Sequence, residues 1–221
     1  MCVFRVRSVC ALLLSLSLSS VFMFCAKKSG QDAAPPAAAV ASDNVLADAR
    51  DGKKYKTVKI GEQVWMAENL NYEADEDGSR CYQDNADNCA KYGRLYEWKT
   101  AKTVCPAGWK LPDTADWNKL VSTAGGKETA AKKLKSKSGW NGDNNNGTDD
   151  YGFSALSGGS VELNGDGEGD FDDVGVVGSW WAATVLCDDC LEAYYLSIGN
   201  GGMYVSYSLK GAFFSVRCLK E

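Results

Sequence analysis

The chain has 221 residues, 45% of them hydrophobic, and a formal net charge of −5, which is enough for one well-buried domain plus targeting and linker segments. Its acidity argues against nucleic acid or an anionic membrane surface as partner, because both reward a basic patch. It contains no histidine, and that excludes Ser-His-Asp and Cys-His catalysis, the usual zinc constellations and a histidine pH switch.

Residues 1–25 carry Arg5 and Arg7 followed by an apolar run from Val9 to Phe24, the charged and apolar regions of a secretory signal. As a retained membrane span the run is short, and Ser15, Ser17, Ser19 and Ser20 interrupt it. Cys25 follows at the distance of a bacterial lipoprotein cysteine, so lipidation there is expected, although Phe24 and Phe22 depart from the usual lipobox. Ala39-Val40-Ala41 is an alternative cleavage motif, far from the apolar run. Acyl chains contribute about 0.8 kcal/mol per buried methylene, so a multiply acylated Cys25 would hold the protein to its membrane. Residues 26–50, centred on Ala33-Ala34-Pro35-Pro36-Ala37-Ala38-Ala39, bury too little apolar surface to offset ordering and read as a disordered tether. The folded domain is expected over residues 51–221.

Within it, Lys56–Ile60 and Gln63–Met66 flank Gly61-Glu62 and predict a β-hairpin. A polar stretch from Glu73 to Asn88 reads as a loop, and Glu97–Val104 as a short helix with Trp98, Ala101 and Cys105 at helical spacing. In Cys105–Trp117, Pro106 and Pro112 fix an extended passage that turns at Gly108. Asp113 then caps a helix, with Asp116 as its capping-box carboxylate; Trp117, Leu120, Val121 and Ala124 share one face, and Gly125-Gly126 stops it. Trp98, Trp109 and Trp117 could be sugar-stacking platforms, but their packing positions favour core. Lys127–Lys137 reads as a solvated lysine-rich helix.

From Gly139 to Asp173 the composition shifts to Gly, Asn and Asp, a long loop region of the kind that carries binding. Of its two acidic clusters, Asn141 to Asp150 and Asn164 to Asp173, the second, with Asp166, Glu168, Asp170 and Asp172, alternates oxygen side chains with glycine and resembles a calcium loop. It is no EF-hand, since Gly175 stands where the bidentate Glu belongs; a solvated acidic loop is the plainer reading. Calcium is the single cofactor these residues suggest. In Ser179–Thr184, a strand, adjacent Trp180 and Trp181 must point to opposite faces, so one is expected in the core and the other outward or under a loop. Tyr194–Ile198 pairs through Asn200-Gly201-Gly202 with Met203–Tyr207, and Phe213–Leu219 closes the sheet. Tyr195, Tyr204 and Tyr207 would then form an aromatic surface beside the outward Trp.

Tyr92-Gly93-Arg94-Leu95-Tyr96-Glu97-Trp98, the Cys105–Trp117 stretch, Gly147–Leu156, Trp180-Trp181 and Ser215-Val216-Arg217-Cys218, in that order, resemble the Fibrobacter succinogenes major paralogous domain from about Asp51 to the end of the chain. That resemblance implies an α+β, C-type lectin-like fold: short helices on small antiparallel sheets, a long loop region and disulfide staples. Members are mostly exported or surface proteins without an assigned activity. Asp149, Asp150 and Tyr151 match a family motif; their carboxylates suit either a tight turn or a ligand, with the turn favoured.

Of nine cysteines, Cys2 and Cys10 leave with the signal and Cys25 is the anchor; the remaining six leave their connectivity open from sequence alone. By analogy with C-type lectin-like folds, the resemblance implies a bridge from Cys105 to Cys218, leaving Cys81 with Cys89 and Cys187 with Cys190 as local staples. A redox role for Cys187-Asp188-Asp189-Cys190 is disfavoured, because flanking carboxylates oppose the thiolate. The functional expectation is a non-enzymatic, membrane-tethered module of the cell envelope, on the outer membrane or cell surface. It would bind polysaccharide or an envelope protein through Trp180, Trp181, Asp149, Asp150, Tyr151, Tyr195 and Tyr204. The rivals are a carboxylate-based glycoside hydrolase and a purely structural envelope lipoprotein.

Overall fold

The computed structural model describes residues 44–74, 77–142, 144–163 and 169–221. Residues 45–47, which the composition placed in the tether, form a strand. Val45–Ala47 (β1) pairs antiparallel with Lys54–Ile60 (β2), and Leu46 packs against the core. The turn between them is held by Asp48, whose carboxylate accepts from the Arg50 side chain at 2.9 and 2.6 Å. That bond holds Asp48 below the ordinary carboxylate range. Residues 44–50 of the expected tether are thus structured, since a three-residue edge strand is too short to carry a sequence signal.

The hairpin of β2 with Gln63–Met66 (β3) forms as predicted, Ile60 opposite Gln63 across Gly61-Glu62. Ser79–Arg80 (β4), the helix Ala86–Tyr92 (α1) and Leu95–Glu97 (β5) follow, and the helix expected from Glu97 is one turn, Trp98–Ala101 (α2). Trp109–Lys110 (β6) leads into Thr114–Thr123 (α3). Asp113 Oδ1 accepts from Asp116 N–H at 2.8 Å and Asp116 Oδ2 from Asp113 N–H at 3.1 Å, a complete capping box. Lys127–Leu134 (α4) is less solvated than expected: Ala130, Ala131 and Leu134 are buried on it, while Lys127, Glu128, Thr129 and Lys132 meet water.

The Gly- and Asp-rich stretch is not all loop. Ser160–Leu163 (β7) and Gly169–Asp172 (β8) form an antiparallel hairpin whose register pairs Val161 with Phe171 and Glu162 with Asp170. Gly178–Val185 (β9), Glu192–Gly199 (β10) and Gly202–Leu209 (β11) are the predicted closing strands. The last segment, expected as one strand, splits: Phe213–Ser215 (β12) and Leu219–Lys220 (β13) join different sheets. One sheet runs β1-β2-β3-β13-β6; the other runs β11-β10-β9-β12-β5-β4, with β7 added to β12. Among the described residues the named strands pair antiparallel except β12 with β9, and two isolated bridges are also parallel, so the architecture is α+β with one mixed sheet.

Strand β9 divides the core. Trp180 enters one cluster with Trp65, Trp117, Phe153, Leu134 and Leu196; Trp181 enters the other with Tyr96, Trp98, Phe214 and Val216. Opposite faces hold as predicted, but the outward Trp does not exist, since both rings are fully buried. The sheet is covered on both sides, so alternation along β9 exchanges one interior for another. Trp98 and Trp117 are likewise core, and Trp109 is half-buried.

All three expected disulfides are present: Cys81–Cys89, Cys105–Cys218 and Cys187–Cys190. The second ties the turn before β6 to the passage between the two sheets. It closes a loop of 113 residues, which on the chain-entropy account stabilises by about 5 kcal/mol.

Candidate functional site

The motif-bearing segments meet in a buried polar hub. Asn69 Oδ1 accepts from Trp180 Nε1 at 2.8 Å and from Arg217 Nη2 and Nε at 2.7 and 3.1 Å. Its amide donates in turn to Tyr92 O at 2.9 Å and Ser215 Oγ at 3.3 Å. The Arg217 guanidinium, fully buried, also donates to the carbonyls of Phe153 and Ser154 and lies 4.3 Å over the Phe153 ring. Burial pulls it down to about 9, so it is still charged at neutral pH. Asp149 carries out the turn role: its carboxylate accepts from Ser154 N–H at 2.7 Å and Ser154 Oγ at 2.6 Å. Both residues have positive φ, 49° and 52°, conformations such local bonds stabilise. The motifs of Tyr92, Asp149–Ser154, Trp180 and Arg217 are thus one packing device.

The residues expected to bind ligand do not form one site. Trp180 and Trp181 present no accessible face. Asp150 is exposed, while Tyr151 is half-buried with its hydroxyl donating to Thr123 O at 3.3 Å. Tyr151 packs on the Trp180 cluster and Tyr195 on the Trp181 cluster, on opposite sides of the larger sheet. Tyr204 is 49% exposed, and its hydroxyl bonds Gly201 O. Of the acidic cluster, Asp166 and Glu168 lie outside the described residues, as does Cys25; Asp170 and Asp172 are exposed on β8. No group of three His, Cys, Asp or Glu side chains placed to hold a metal occurs among the described residues.

A more coherent surface lies where β7 meets β11 through Glu162 and Ser208. In the antiparallel register Tyr195 stands opposite Ser206, Ser197 opposite Tyr204 and Ala193 opposite Ser208, all on one face. Tyr195 is held from beneath by Trp181 and Phe214, with ring centroids 6.4 and 4.5 Å away. Ser208 Oγ donates to Glu162 Oε2 at 2.9 Å, joining the hairpin to the sheet. Glu162 is exposed overall, yet partial desolvation of its carboxyl raises it above its ordinary range, with the Ser208 bond opposing and the charges of Asp173 and Asp172 adding to the effect. Asp173 is raised by burial and by Asp172. Tyr195 is raised by burial and further by Glu162 and Asp173. These groups are one electrostatic neighbourhood. Ser206 and Ser208 come to Tyr195 through the predicted β10–β11 pairing, whereas Glu162 carried no motif and Asp173 was read only as the end of an acidic loop; both arrive because that stretch folds as the β7–β8 hairpin.

A family model, Fibrobacter succinogenes major domain, matches residues 58–220. No curated protein and no solved structure matches the chain.

Proposed function

This chain belongs to the Fibrobacter succinogenes major domain family, and we propose that it is a non-enzymatic binding module of the cell envelope, exported and tethered through a lipid on Cys25. The ligand is a glycan, bound on the β10–β11 face beside the β7–β8 hairpin, and the arrangement is C-type lectin-like. The observation that carries the reading is the convergence of Tyr195 with Ser206, Ser208, Glu162 and Asp173. It offers hydroxyl and carboxylate partners for sugar hydroxyls next to an aromatic ring braced by Trp181. Glu162 and Asp173 are exposed at the surface, so their oxygens are open to a ligand. The exposed Tyr204 extends the same face. The Cys105–Cys218 bridge and the short helices support the lectin-like arrangement.

The test is calorimetric titration of the full chain with plant and bacterial polysaccharides, with and without calcium. A saturable signal that weakens about tenfold or more in Tyr204→Ala and Glu162→Gln is expected, a loss of about 1.4 kcal/mol. Release of new reducing ends would overturn the non-enzymatic reading, and calcium dependence would bring in the acidic segment 164–173. Cys25→Ala should move the protein from the membrane to the soluble fraction; unchanged partitioning would refute the tether.

A further inference from the structure

A cleft of about 400 Å³ lies where β2, the segment Ala67–Asn71, the end of α1 and the turn Gly152–Leu156 meet. Its rim carries Lys53, Lys54, Lys56 and Lys91 against a single carboxylate, Glu68. Lys54 and Lys56 flank buried Tyr55 on the strand, so both project from its other face. Of the four lysines, only Lys53 has an ion-pair partner among the described residues, Asp51 at 2.9 Å. Glu68 is occupied in accepting the Lys56 backbone N–H at 2.7 Å.

The floor has the same sign as the rim. Asn69 and Ser154 line the cleft and also hold Arg217, which is fully buried and makes no ion pair among the described residues. In a chain of net charge −5 this is a local inversion of the field. Like charges gathered around a concave, low-dielectric wall repel one another and concentrate anions. An anion seated there would relieve the repulsion among the lysines and add to the partial compensation that Arg217 receives from Asp149 and Glu68.

We propose that the cleft binds an acidic sugar, with the carboxylate of a uronic acid residue among Lys54, Lys56 and Lys91 and the sugar hydroxyls meeting Asn71 and Ser154. The volume is that of a small-molecule pocket and exceeds what a bare carboxylate or phosphate needs. Lysines act as point charges, without the planar fork that arginine offers phosphate. The aromatic rings of the lining, Tyr55 and Tyr92, are buried, so there is no platform on which nucleic-acid bases could stack. The cleft shares no residue with the β10–β11 face, and the two sites stand or fall separately.

The test is calorimetry on the full chain with oligogalacturonate, its methyl ester, inorganic phosphate and a single-stranded oligonucleotide. Oligogalacturonate should bind saturably and weaken as salt rises, since partly exposed charges are screened within about 8–10 Å at physiological ionic strength. The methyl ester should not bind. The combined variant Lys54→Gln, Lys56→Gln, Lys91→Gln replaces exposed side chains and should keep the melting temperature while lowering affinity about tenfold or more. Tyr204→Ala and Glu162→Gln should leave this binding unchanged. Equal binding of the ester, unaltered affinity in the triple variant, no heat with the oligomer, or preference for phosphate or the oligonucleotide would each overturn the proposal.

Discussion

The hub around Arg217 and the face around Tyr195 use the same chemical vocabulary, aromatic rings with amide, hydroxyl and charged groups, to opposite ends. In the hub each polar group is spoken for: Asn69 alone serves Trp180, Arg217, Tyr92 and Ser215. On the face, Glu162, Asp172 and Asp173 stand near one another without a cation in ion-pair contact among the described residues. Satisfied networks specify a fold, whereas unsatisfied ones keep capacity for a ligand. The family motifs fall in the first kind of region, which explains why they announce a fold and leave the ligand open.

That contrast is sharpest in the disulfides. Replacing both Cys105 and Cys218 with alanine should cost about 5 kcal/mol in urea denaturation, and replacing Cys187 and Cys190 about 2, since the loops closed differ so much in length. Equal losses would mean that the long bridge does not constrain the unfolded chain. Next comes Arg217→Met, which strands Asn69 and the carbonyls of Phe153 and Ser154. A loss of about 4 kcal/mol is expected from charged hydrogen bonds removed in a buried site; a loss below about 1 kcal/mol would show the hub to be replaceable by apolar packing.

A subtler comparison sets two buried tryptophans against each other. Trp180 Nε1 donates to Asn69, while Trp117 Nε1 has no hydrogen-bond partner among the described residues. Trp180→Phe should therefore cost about 1–2 kcal/mol more than Trp117→Phe, although both remove the same volume. The smallest effect is expected on the face. The raised Glu162 carboxyl keeps its proton in the folded state to a higher pH than in the unfolded chain. Its contribution is thus most favourable in acid, below the ordinary carboxylate range, and is lost as pH rises through the folded value. Glu162→Gln should leave stability at neutral pH unchanged or slightly raised, within about 0.5 kcal/mol given solvent screening. The variant's advantage over wild type should disappear in acid, and a destabilised Glu162→Gln would make this carboxylate a structural group.

Much of the fold was legible because its signals act over a few residues. Asp113 and Asp116 marked the start of α3, Gly61-Glu62 the hairpin turn, and period-two alternation the strands β9 to β11. The site was less legible. Tyr195 and Tyr204 share a face as expected, but Tyr207 lies on the other one opposite Tyr194, because strand side chains alternate; the partners Glu162 and Asp173 lay in a stretch whose glycines and aspartates read as loop. β7 and β8 are strands because they pair with each other and β7 with β12, and pairing is not a local property.

By itself the sequence determined the family, the α+β class, the capped helix, the closing strands and the cysteines available for bridging, because caps, turns and alternation are written in neighbouring residues. Tertiary structure alone decided that Trp180 and Trp181 are both interior, that Phe213–Lys220 divides between two sheets, that four lysines ring one cleft over Arg217, and that Glu162 reaches Ser208. Burial of a strand's second face and the company a charge keeps depend on elements distant in the chain, and no local pattern encodes their arrival.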